Sequence, residues 1–125
     1  MGSAMESQTK EQQEEYGQIK IEFRKYFPRE ERREVYSFFN RGFCMQGKIE
    51  LSKIFLAAAK QGKFFKDIMI ACEIEYQRFW RDQHISIRGN PAVDSVAGMQ
   101  SKISLNNIYR TLGIPSPFKD LIIVR

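Results

Sequence analysis

The chain has 125 residues, of which 42% are hydrophobic and 13% aromatic, and its formal net charge is +5. That make-up excludes intrinsic disorder and predicts one compact domain, or two very small subdomains sharing a core. No apolar run approaches the roughly 20 residues a transmembrane helix needs, and the charged, Gln-rich start does not read as a signal peptide, so a cytoplasmic protein without a membrane partner is expected.

Met1 to Ala4 read as a cloning remnant ahead of a natural start at Met5. Residues 7–15 are polar all round, so residues 5–15 are expected to form a flexible extension. The helical pattern of residues 6–27 comes from Tyr16, Ile19, Phe23 and Tyr26 or Phe27, spaced by three and four with Glu and Lys between. Pro28 stops that helix and can open the next. A second helix over residues 29–40 carries Glu30 and Glu31 in its first turn, where acids favour the helix dipole, and Val35, Phe38 and Phe39 as its apolar face.

Residues 43–49 read as a connection with room for one short strand near Lys48 and Ile49. Leu51, Ile54, Phe55 and Ala58 mark a third helix that ends at Gly62. The fourth, residues 64 to about 81, has the clearest stripe: Phe65, Ile68, Cys72, Tyr76 and Phe79. Alternation from His84 to Arg88, followed by Gly89, Asn90 and Pro91, predicts a strand and a turn. Helical spacing resumes over residues 104–112, with Ser104 as the expected N-cap and Gly113 as the stop. Pro115 and Pro117 then turn the chain toward an apolar tail, Leu121 to Val124, suited to a terminal strand.

A faint repeat runs through these elements. Lys48 to Phe55 is echoed by Lys102 to Tyr109, each followed by a glycine (Gly62, Gly113) and then by Phe-Lys-Asp and an aliphatic residue, at Phe65 and at Phe118. Two copies of helix, glycine turn and helix are the layout of a helix-turn-helix, and the first copy with its strand and turn follows winged-helix order. The expected fold is therefore mainly α: a compact helical domain with helix-turn-helix or winged-helix-like units and a small β-hairpin wing, as an internally duplicated pair. Residues 16–98 would form the first unit and 99–125 a second, truncated one. The resemblance is to this broad architecture and to no single family. Tyr109, standing where a small residue normally lets the helices approach, and the two prolines depart from it.

No glycine-rich phosphate loop, metal-binding cysteine pair or nucleophile elbow is present, so no catalytic residue, cofactor, metal or small-molecule substrate is expected, and the chain reads as a non-enzyme. Cys44 and Cys72 lie in apolar stretches and predict two buried thiols, with a Cys72–His84 pair a poorer reading. Glu73 and Glu75 fall among basic residues at helical spacing, as on a solvated helix face.

The charge is uneven. Residues 1–41 hold eight basic and eight acidic side chains, whereas residues 42–125 hold twelve and seven. A basic excess beside a helix-turn-helix pattern favours double-stranded DNA as partner and a regulator, repressor or accessory factor as function. The candidate DNA-binding residues are Lys60, Lys63, Lys66, Gln77, Arg78, Arg81 and Arg88 in the first copy, with Asn106, Asn107, Arg110 and Lys119 in the second. The alternative is a helical adaptor or complex subunit that binds a protein through exposed aromatic residues, without nucleic acid.

Overall fold

The computed structural model describes residues 9–86 and 102–118, with side chains for 9–79 and 102–118. Within them are five helices, α1 (Lys10–Tyr26), α2 (Arg29–Phe39), α3 (Met45–Lys60), α4 (Phe65–Ser86) and α5 (Lys102–Leu112), and no strand. The chain is mainly α, and no helix among the described residues is long and apolar enough to cross a membrane. It divides into two compact units, residues 1–56 and 57–125, with α3 contributing to both. That boundary differs from the division at residues 98 and 99 expected from the sequence.

In the first unit, α1 begins at a capping box. The Gln12 amide donates to Thr9 Oγ1 (3.0 Å), and the Thr9 amide donates to Gln12 Oε1 (3.1 Å), so two amides with no helical partner satisfy each other's side chains. Polar residues near this start are docked. Gln12 Nε2 donates to Gln46 Oε1 at 2.9 Å, and Lys53 Nζ bridges to Glu15 at 3.2 Å, so the described part of the segment expected to protrude, residues 9–15, is tied to α3. At the other end of α1, Arg32 donates from Nη1 to the Phe27 carbonyl (3.0 Å), closing the junction around Pro28.

The core of this unit is aromatic. Phe23 is fully buried, with ring centroids 5.0 Å from Phe27, 6.0 Å from Tyr36 and 6.1 Å from Phe55. Phe39 meets Phe55 edge-on at 6.2 Å, and Phe38 lies 5.4 Å from Phe43. Tilted and edge-on rings set a positive rim against a negative face, which adds about 1 kcal/mol per pair to the area they bury.

In the second unit, α5 packs most closely on α4. Among the described side chains of α4, the buried positions are Ile68, Ala71, Cys72 and Glu75, at steps of three, one and three. Phe65, Tyr76 and Phe79, expected on that stripe, are only half-buried, so the buried face is turned from the one the large aromatic residues suggested. Helix α5 buries Leu105, Ile108, Tyr109 and Leu112, and the Tyr109 ring meets Phe118 edge-on at 6.2 Å.

Four expectations are corrected. The strand near Lys48 and Ile49 is the first turn of α3: the spacing of Ile49 and Leu51 suits either structure, but Ser52, Ile54, Phe55 and Ala58 extend burial around a helix. His84, Ile85 and Ser86 are the end of α4, so the start of the wing is helical and the winged-helix order is not supported. Ser104 lies inside α5 and is not its cap. Residues 114–118 are non-helical after Gly113, so the second copy lacks a helix there, as two prolines in five residues require. The remainder of the proposed wing, residues 87–93, and the expected terminal strand, Leu121 to Val124, lie outside the described residues.

The repeat does have a structural counterpart at its glycines. Gly62 and Gly113 both have positive φ, 82° and 71°, which costs a glycine nothing. Beyond them the Lys63 amide donates to the Ala58 carbonyl (3.0 Å) and the Ile114 amide to the Tyr109 carbonyl (3.2 Å). Gly62 and Gly113 themselves donate to Ala59 and Arg110, which completes the same Schellman motif twice. The correspondence breaks earlier, where Ile49 is fully buried and Ile103 is 49% exposed.

Alkaline titration offers a test of the first unit. Burial first, and the neighbouring Tyr36 second, push the Tyr16 phenol up to about 12 from 10.0, while Lys20 Nζ sits 5.0 Å from its ring. A phenol raised in the folded chain contributes stability that is complete below pH 10 and lost as pH climbs toward 12. The urea midpoint should therefore fall over that interval, and Tyr16→Phe should lessen the fall. An equal fall in the variant would remove Tyr16 from the account.

Candidate functional site

The polar side chains of the second unit converge where α5 lies on α4. Glu75 is 4% exposed, on the same stripe as Ile68 and Cys72. A carboxylate withdrawn from water is costly unless each oxygen finds a donor. Glu75 Oε1 lies 3.3 Å from Arg78 Nη1, and Oε2 accepts from Asn107 Nδ2 at 3.3 Å. One oxygen is thus served by a neighbour one turn along α4 and the other by α5. The expectation of a solvated Glu75 is overturned. Its position seven residues after Ile68 and three after Cys72 already places it in step with the apolar stripe.

Beside this cluster is an open cleft of about 340 Å³ lined by Arg78, Asn107, Arg110 and Thr111. A second, of about 290 Å³, is lined by Lys63, Asp67, Ile70, Ala71, Thr111 and Leu112. Thr111 borders both; Arg78 and Arg110 line the first cleft, and Lys63 lines the second together with the exposed carboxylate of Asp67. Arg110, in the last turn of α5, is exposed, and its side chain has no ion-pair or hydrogen-bond partner among the described residues.

Of the residues expected to touch DNA, three line one cleft, Arg78, Asn107 and Arg110, and Lys63 lines the other. Lys66 is exposed one turn beyond Lys63, and Gln77 is exposed further along α4. Lys60 is exposed in the last turn of α3. Asn106 is buried and has nothing to offer a groove. Arg81 belongs to α4, but its side chain lies outside the described residues, as do Arg88 and Lys119 altogether. Thr111 had no signal in the sequence, because its role depends on α5 folding back onto α4.

The outward face of α4 is less polar than a base-reading helix would be. Between Lys66 and Gln77 it carries Ile70 and Ile74, 48% and 46% exposed, and Phe64 just before the helix is 75% exposed. No group of histidine, cysteine or carboxylate side chains among the described residues could hold a metal ion. No protein-family model matches the chain, and no curated protein and no solved structure matches it either.

Both cysteines are thiols, but they differ: Cys44 is exposed, against expectation, and Cys72 is fully buried. Cys44 follows α2 at a turn before α3, where its apolar neighbours Phe43 and Met45 point to burial that the turn does not provide. Burial, and secondarily Glu73, push the Cys72 thiol far above its ordinary value, which removes the thiolate needed for nucleophilic chemistry. A thiol-disulfide reagent should therefore modify one thiol per native chain, and the second only in denaturant. Two equally fast modifications in the native protein would contradict the burial of Cys72.

Proposed function

We propose that this protein binds duplex DNA through the α4–α5 pair, as a regulator or accessory factor without catalytic chemistry. The observation that carries the reading is the set of basic residues bordering the two α4–α5 clefts, Arg78 and Arg110 at one and Lys63 at the other with Lys66 exposed beside it. Glu75 is withdrawn from solvent there, and Asp67 is the one exposed carboxylate among the described lining residues. Basic side chains on a surface gain affinity for DNA by releasing counterions condensed on its phosphates. The contacts in this reading go to the backbone, which positions a protein on DNA without reading sequence. Base readout is left to Gln77, exposed on α4.

A second reading rests on Phe64, Ile70 and Ile74, whose exposure suits a protein partner's apolar surface. The two differ in their response to salt. For four phosphate contacts, affinity for a random duplex should fall on the order of a hundredfold between 50 and 200 mM salt. The double variant Lys63→Ala, Lys66→Ala should flatten the dependence by about two contacts. A chain that leaves duplex DNA unretarded at low salt would defeat the DNA reading and favour the protein partner.

A further inference from the structure

We propose that the cleft lined by Arg78, Asn107, Arg110 and Thr111 is a seat for a single phosphate group, with Glu75 as the positioning residue beneath it. The identity of the carrier, a nucleic-acid backbone, rests on the DNA reading above. The seat itself rests on the geometry of α4 and α5.

The lining is chemically one-sided. Among the described residues it comprises two arginines, an asparagine and a threonine, with neither an apolar side chain nor an acid. A pocket for an uncharged organic ligand is built mostly of apolar and aromatic side chains, and none is among the described residues of this lining. Forked guanidinium donors match the oxygens of a phosphate, and an amide and a hydroxyl add donors that carry no charge. The cleft is open and, at about 340 Å³, large enough for a phosphate that keeps part of its hydration.

Glu75 gives that lining its shape. The carboxylate takes one nitrogen of Arg78 and the amide nitrogen of Asn107, both at 3.3 Å, and so holds two of the four donor groups in place before any ligand arrives. The remaining N–H groups of Arg78 have no partner among the described residues, and its side chain is 40% exposed. Ordering of a long side chain before binding removes part of the entropy a ligand would otherwise have to offset.

Two effects oppose an anion here, and both are small beside the guanidinium pair. Glu75 is negative, but its charge is already matched by Arg78, which leaves the charge of Arg110 in excess. The cleft also lies at the C-terminal end of α5, where helix carbonyls present partial negative charge. Two of those carbonyls are engaged: Arg110 accepts from the Gly113 amide at 3.0 Å, and Tyr109 from the Ile114 amide at 3.2 Å. Arg110 therefore decides the balance, and it is also the residue whose removal disturbs no interaction among the described residues.

Inorganic phosphate is the probe, added to the full chain at constant ionic strength and followed by two-dimensional NMR. The Asn107 side-chain amide and the Thr111 amide should shift and saturate. Arg110→Gln should weaken the response at least about tenfold while leaving the rest of the spectrum in place. The seat is overturned if the shifts do not saturate, if chloride or acetate produces them equally, or if Arg110→Gln binds phosphate as the parent does. Duplex DNA in a parallel arm separates the two readings. Salt-sensitive DNA binding that Arg110→Gln leaves untouched, with no phosphate response, sinks the seat alone. Saturable phosphate binding that depends on Arg110, without DNA binding, keeps the seat and removes the backbone as its source.

Discussion

A carboxylate cannot leave water without donors to replace it, and Glu75 meets that demand with one partner on its own helix and one on α5. The need fixes more than a hydrogen bond. For Asn107 to reach Oε2, α5 must lie on α4 in one register, and that register sets Arg110 and Thr111 beside Arg78. The apolar contacts of Leu105, Ile108 and Leu112 supply most of the adhesion, but hydrophobic packing is not directional and would tolerate a shift along the helix. The polar pair does not tolerate one. Stability and the chemistry of the cleft are therefore coupled through a single buried side chain.

The two units solve the same problem with different materials. Residues 1–56 rely on interlocking rings around Phe23 and Phe55, and their polar links, from Gln12 to Gln46 and from Glu15 to Lys53, lie at the surface. Surface links of this kind contribute at most about 1 kcal/mol each and orient more than they stabilise. In residues 57–125 the polar link is inside. One buried hydroxyl in the first unit, Ser52 Oγ, has no hydrogen-bond partner among the described residues, and nothing in the structure accounts for it.

Legibility followed the reach of the interactions. Helix identity depends on spacing of three and four residues, so α1, α2 and α5 could be placed from apolar positions alone, and the stops at Gly62 and Gly113 from the backbone freedom glycine has. Ambiguity entered where two periods fit a short run. Ile49 and Leu51 alternate as a strand would, as do His84 and Ser86, and only the surrounding helix decides. The cleft is half legible: Arg78, Asn107 and Arg110 stand out as polar side chains on helices, but the repeat places them in separate copies. Their meeting depends on a tertiary contact 32 residues apart in sequence, from Glu75 to Asn107, which no local pattern carries. The buried carboxylate was misread because charge among charges looks solvated unless its place on the apolar stripe is tracked.

DNA binding, the phosphate seat and the placement of Arg110 all presuppose that Glu75 and Asn107 act as a pair. A double-mutant cycle in urea, with Glu75→Met, Asn107→Ala and both together, measures that directly. The account predicts that the double variant is less destabilised than the two single variants combined, by about 1 kcal/mol or more. Effects that add to within about 0.3–0.5 kcal/mol would mean the two side chains do not depend on each other, and the polar link between α4 and α5 would not stand.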